Sequence, residues 1–100
     1  MFKISIVETH GQRRLVLEGK LVSPWIAEVE IAWRNAVEDL QGRKLIIDLT
    51  NVTLISPDGE NILFRLMRAG ARFTSGDVFT KHVLKQLARK CRREPASSRR

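Results

Sequence analysis

The segment that most constrains this chain runs from Lys44 to Gly59, where an apolar stretch, Leu45-Ile46-Ile47-Asp48-Leu49, leads through a short connection into Ser56-Pro57-Asp58-Gly59. A strand this uniformly apolar suits burial on both faces, which places it inside a sheet rather than at its rim. Ser-Pro is a strong helix start, because the Ser oxygen caps a free amide and Pro at the first helical position lacks only an N–H that would be unpaired anyway. The helix it opens is expected over Pro57 to Ala69 and closes at Gly70, before a short strand near Ala71 to Thr74. Strand, helix and strand in that order favour parallel pairing through right-handed crossovers. Asp48, at the expected strand end, reads as a turn or cap former.

Phe2, Ile4 and Ile6 alternate with Lys3 and Ser5, and Leu15 and Leu17 continue that period beyond the Thr9-His10-Gly11-Gln12 turn. This predicts an antiparallel hairpin of residues 2 to 7 and 13 to 20. Ser23-Pro24 repeats the helix-start chemistry, and a helix is expected to Leu40, with Gly42 just beyond it. Trp25, Ile26, Val29, Trp33, Ala36, Val37 and Leu40 fall within roughly 120° on its wheel, a core-facing stripe that leaves Ile31 outside. A third helix, about Thr80 to Arg93, sets Val83, Leu84, Leu87, Ala88 and Cys91 opposite His82, Lys85, Gln86, Arg89, Lys90 and Arg92. The order β-β-α-β-α-β-α follows from periodicity alone.

A chain of 100 residues, 43% hydrophobic, has material for one core. Residues 1 to 93 are therefore expected to form one domain, and residues 94 to 100 a basic, disordered tail. Residues 1 to 80 carry 10 Lys/Arg against 10 Asp/Glu, while residues 81 to 100 carry 8 Lys/Arg and 1 acid, so the whole net charge of +7 lies in the last helix and tail. That basic character describes one surface and not the domain. The single cysteine, Cys91, has no partner for an intramolecular disulfide and no second thiol for a zinc site. With neither a signal-peptide run nor a stretch of the roughly 20 apolar residues that a membrane span needs, a soluble cytoplasmic protein is expected.

Asp48-Leu49-Thr50, Val52-Thr53-Leu54-Ile55 and Gly59 carry a resemblance to the central motif of the STAS family (sulfate transporter and anti-sigma factor antagonist), and to its small anti-sigma factor antagonists in particular. There a strand ending Asp-Leu-Ser/Thr leads to Asp-Ser-Ser/Thr-Gly at a helix N-terminus. The resemblance covers about residues 2 to 92. It implies an α/β STAS-like fold, a mixed β-sheet of about four strands with about three α-helices packed mainly on one side. It also implies a bacterial, non-enzymatic module of transcription regulation that binds an anti-sigma factor or a serine-kinase-like regulator.

In the family the Ser/Thr before the Gly can be phosphorylated by the anti-sigma kinase. Aligned on the residues above, Ser56 takes the place of the family's Asp, Pro57 that of its first Ser/Thr, and Asp58 that of the phosphoacceptor. The hydroxyl is replaced by a carboxylate. Asp58 then reads either as a fixed, imperfect mimic of the phosphorylated state or as an ordinary acid favoured by the helix dipole. Ser56 reads as the helix cap. A second departure is Gly19-Lys20-Leu21-Val22, where relatives often read Gly-x-Leu-Asp.

The expected partner-binding surface comprises Ser56, Asp58, Gly59, Asn61 and Phe64. Phe64 belongs to it because the helical wheel sets it near Glu60, Asn61 and Arg68, away from the Ile62, Leu66 and Ala69 stripe, and exposed aromatics often anchor interfaces. Met67 and Ile31 raise the same question more weakly. His10 and His82 have no carboxylate or thiol at ligand-like spacing, and no nucleophile with a positioned base or Gly-rich phosphate loop is recognisable. Neither an enzyme, a metal site nor a cofactor is expected. Two alternatives remain: a STAS subunit regulating a transporter of the lipid-transport type, and a basic module associated with nucleic acid through the third helix.

Overall fold

The computed structural model describes residues 2–93. The expected tail at 94–100 lies outside the described residues. The elements run β1 (Phe2–Thr9), β2 (Gln12–Leu21), α1 (Ile26–Val37), β3 (Lys44–Ile55), α2 (Pro57–Arg68), β4 (Arg72–Thr74) and α3 (Val78–Arg93). They build one four-stranded sheet in the order β1-β2-β3-β4, with β1 and β2 antiparallel and the β2–β3 and β3–β4 pairs parallel. The expected hairpin and the expected parallel pairing of the later strands are both present.

Alternation decides which face is buried. Leu15, Leu17 and Leu21 of β2, with Leu45, Ile47 and Leu49 of β3, turn to one side and are buried. Val29 of α1, Ile62, Leu63 and Leu66 of α2, and Val83 and Leu87 of α3 close over that side. Burying a side chain of this size contributes about 1.5–3 kcal/mol, so these few residues supply most of the driving force. Phe2 and Ile4 pack at the margin of the same cluster.

β3 departs from expectation in its length. It continues past Leu49 to Ile55, because β2 goes on pairing with it through two register shifts, where Val16 opposite Asp48 gives way to Glu18 opposite Asn51, and Gly19 opposite Val52 to Lys20 opposite Leu54. At each shift β3 carries one residue more than β2, the signature of a bulge, which bends and twists the strand. Asp48 is therefore not a turn former: it sits inside the strand, 8% exposed.

α1 is shorter than expected at both ends. It begins at Ile26 after a Val22–Trp25 turn, with Trp25 as a cap that makes no side-chain hydrogen bond, so Ser23 does not cap it. The Ser23-Pro24 peptide is cis. The helix stops at Val37, where the Arg13 guanidinium from β2 takes up two carbonyls that further helix would otherwise satisfy, Ala36 O and Glu38 O, each at 2.9 Å. Asp39, Gln41 and Gly42 then adopt positive φ and turn the chain into β3. Of the expected stripe, Val29 and Ala36 are buried and Ile26, Trp33 and Leu40 are half-buried, but Trp25 and Val37 are exposed at the shortened ends.

Candidate functional site

The sheet delivers the β3–α2 junction to one end of the domain. Ser56 is anchored there twice to Leu21 at the end of β2: its amide donates to Leu21 O at 3.1 Å and its hydroxyl to the same oxygen at 3.3 Å. The Ser56 Oγ in turn accepts from the Gly59 amide at 3.1 Å, with Pro57 at the first helical position, so Ser56 is the N-cap that its sequence context predicts. An N-cap of this kind is worth about 1 kcal/mol. One of its lone pairs is thereby directed to the helix.

Asp58, in the first turn of α2, is exposed, and its Oδ2 accepts from the Ser23 hydroxyl at 3.2 Å. The two Ser-Pro segments thus lie side by side, the first contributing its hydroxyl to the acid of the second. Asn61, one turn further along, is also exposed. Helix dipole and free amides favour the Asp58 charge at this place.

Two of the five expected surface residues sit elsewhere. Gly59 is buried, and a Cβ at its position would lie 2.5 Å from the Leu21 carbonyl oxygen and 3.1 Å from Ile55 Cγ2. It lets α2 approach the backbone of β2 and lies beneath the surface instead of forming it. Phe64 is half-buried and packs against the core. Lys90 Nζ of α3 lies 4.8 Å from its ring centroid, and Arg68 Cζ, from the end of α2 itself, lies 5.5 Å from it. The wheel of α2 taken alone leaves Phe64 facing outward, and the neighbouring α3 covers it. Met67 is likewise half-buried, whereas Ile31 is exposed.

Ser23 is the residue that sequence reasoning missed, and the repeated Ser-Pro pair was its only signal. A second unpredicted cluster lies on the opposite face of the sheet, where Asp48 accepts from Arg14 Nη1 at 3.1 Å and from the Thr50 amide at 2.9 Å. Burial alone would raise the Asp48 pKa, but hydrogen bonds from Thr50 and the Arg14 charge outweigh it and hold the carboxyl below its ordinary value. At the start of α3, Asp77 caps the helix by accepting from the Thr80 amide at 2.8 Å and the Thr80 hydroxyl at 2.6 Å. Those two hydrogen bonds keep its carboxyl below the usual range.

Among the described residues no three His, Cys, Asp or Glu side chains group as metal ligands would. No helix among them is long and apolar enough to cross a membrane. What the junction offers is a solvent-facing acid on a capped helix start.

No family model and no curated protein matches this sequence. Among solved structures, the chain is similar to an anti-sigma-factor antagonist, a STAS domain from Rhodobacter sphaeroides, with a TM-score of 0.51 and 16% sequence identity over 74% of this chain and 84% of that one. A four-stranded mixed sheet with three helices, superposable over most of both chains, gives this protein the STAS-domain fold.

Proposed function

We propose that this protein is a non-enzymatic regulatory module that binds an anti-sigma factor or a serine-kinase-like regulatory protein through the surface where α2 begins. The observation that carries the reading is the exposed Asp58 carboxylate on the Ser56-capped helix start, held by Ser23. The likeness of the fold to an anti-sigma-factor antagonist supports it. Aligned on the STAS motif, Asp58 occupies the phosphoacceptor position. It brings a permanent charge near −1 where a phosphoserine carries about −1.5 to −2. A carboxylate offers no hydroxyl to a Ser/Thr kinase, so the protein acts in one fixed state. Asn61 flanks the acid on the partner surface, and Ser56 and Gly59 hold the surface in shape from below.

The test is affinity copurification from the native cells, with recovered proteins identified by mass spectrometry. Titration calorimetry of the recovered partner against wild type and Asn61→Ala follows. Recovery of an anti-sigma or kinase-like protein whose binding weakens in Asn61→Ala supports the reading. Recovery of transporter subunits alone, or a partner indifferent to Asn61→Ala, sinks it.

A further inference from the structure

The outward face of α3 takes no part in the α2 junction. Its sequence, Val78-Phe79-Thr80-Lys81-His82-Val83-Leu84-Lys85-Gln86-Leu87-Ala88-Arg89-Lys90-Cys91-Arg92-Arg93, holds no acid. Thr80, Val83 and Leu87 are buried in the domain, which fixes the rotation of the helix. At 3.6 residues per turn, Lys81, Lys85, Arg89 and Arg92 then fall within about 60° of Val78 on the opposite side. All four are exposed. Among the described residues the ion pairs engage Arg13, Arg14, Arg34, Arg43 and Arg65, and none engages a cation of α3.

The head of this basic stripe is apolar. Val78 is 84% exposed and lines one shallow depression with Lys81, His82 and Lys85. Phe79, beside it, is 47% exposed. A stripe of about 20 Å, at 1.5 Å per residue, thus carries its cations along its length and a branched aliphatic at its tip.

We propose that this face docks on an anionic lipid bilayer, with Lys81, Lys85, Arg89 and Arg92 against the phosphate headgroups and Val78 entering the acyl boundary. Charge complementarity identifies an anionic partner, since adjacent cations with no acid among them attract a negatively charged surface. The apolar tip selects the bilayer over nucleic acid. A phosphate backbone has no apolar phase in which to bury Val78, whereas the headgroup boundary has one. Single-stranded nucleic acid would call for aromatic platforms along the stripe, and the one aromatic of α3, Phe79, lies about 100° from Val78 on the wheel. Because the apolar side of α3 is already spent on the core, the contact is peripheral, a basic face with one apolar tip. It is independent of the partner assigned to the α2 junction.

The experiment is sedimentation of the full chain with vesicles of phosphatidylcholine alone and of phosphatidylcholine with about one-third phosphatidylglycerol. Wild type is expected on the anionic vesicles only, with binding that falls as salt rises. Lys85→Ala should lower the partition coefficient about fivefold, the worth of one cation near an anionic surface. Val78→Ser, with unchanged charge, should lower it roughly fivefold to tenfold through lost apolar burial. Lys20→Ala, away from α3, should leave it unchanged, and far-UV circular dichroism checks that every variant is folded. Equal partition onto neutral and anionic vesicles overturns the proposal. So does anionic binding insensitive to Val78→Ser, or a nucleic-acid duplex that binds more tightly than the vesicles and displaces the protein from them.

Discussion

The Ser23 hydroxyl donates a hydrogen bond to the Asp58 carboxylate at 3.2 Å, joining the two Ser-Pro segments across 35 positions of sequence. Both groups are exposed, so water competes for each of them and the bond stabilises the fold little. Its consequence is positional: it sets the two Ser-Pro segments against each other at the start of α2. Ser23→Ala is expected to change the unfolding free energy by less than about 1 kcal/mol in urea titration. A loss of stability well above that would make Ser23 a structural residue first.

Asp58→Ser exchanges a permanent charge for an acceptor hydroxyl at a helix N-terminus, where amides and dipole favour an incoming phosphate. With the cognate kinase and ATP, phosphorylation at position 58 is expected in the variant and not in wild type, read by mass spectrometry. Unphosphorylated Asp58→Ser should bind the regulatory partner more tightly than wild type. Equal affinity would leave Asp58 an ordinary helix-start acid.

Gly59→Ala should be among the costlier small substitutions in the molecule. The added Cβ would stand 2.5 Å from the Leu21 carbonyl oxygen, and that obstacle is backbone rather than a side-chain end that can swing away. Overpacking typically costs about 1–3 kcal/mol, which denaturant titration resolves. Retained stability would mean that α2 lifts from β2 with little penalty.

Phe64→Ala distinguishes packing from recognition. A fully buried Phe loses about 3–5 kcal/mol on truncation, so this half-buried ring, with its share of the core and two cations above it, should lose about 2–3 kcal/mol. Lys90→Gln should weaken the unfolding free energy by about 0.5–1 kcal/mol through the lost cation–π contact. If Phe64→Ala leaves the melting temperature unchanged but abolishes partner binding, the ring belongs to the interface.

Asp48 makes stability depend on acid. Its folded-state pKa lies below the ordinary 3.8, so in the folded state the charged form is favoured and its contribution is fully present above 3.8. As pH falls from there through the lower folded value the contribution is lost. Urea titrations of wild type and Asp48→Asn at neutral pH and near pH 3 should show a gap that narrows in acid. A gap independent of pH would assign the cost to packing instead of to the Arg14 and Thr50 contacts.

Much of this architecture was legible because its causes are local. Period two in Phe2, Ile4 and Ile6 and in Leu15 and Leu17, the apolar run at Leu45 to Leu49, and the Ser56-Pro57 cap each depend on residues within a few positions of one another, so composition and spacing suffice to read them. The motif at Asp48 to Gly59 carried the resemblance to the STAS family, and the likeness of the folded chain agrees with it.

What tertiary structure alone decided lies where partners are remote. Thr50 to Leu54 look like a connection by composition and become strand because β2 continues to pair with them. Asp48 looks like a strand terminator and becomes a buried carboxylate because Arg14 arrives from the neighbouring strand. Ser23 was expected to cap its own helix and instead reaches Asp58, Gly59 is buried by Leu21, and Phe64 is covered by α3. Local sequence sets which backbone conformations are cheap, since capping and periodicity act within a turn or a strand. Which side chains stay on the surface depends on how separate elements close against one another, and no single helix or strand records that.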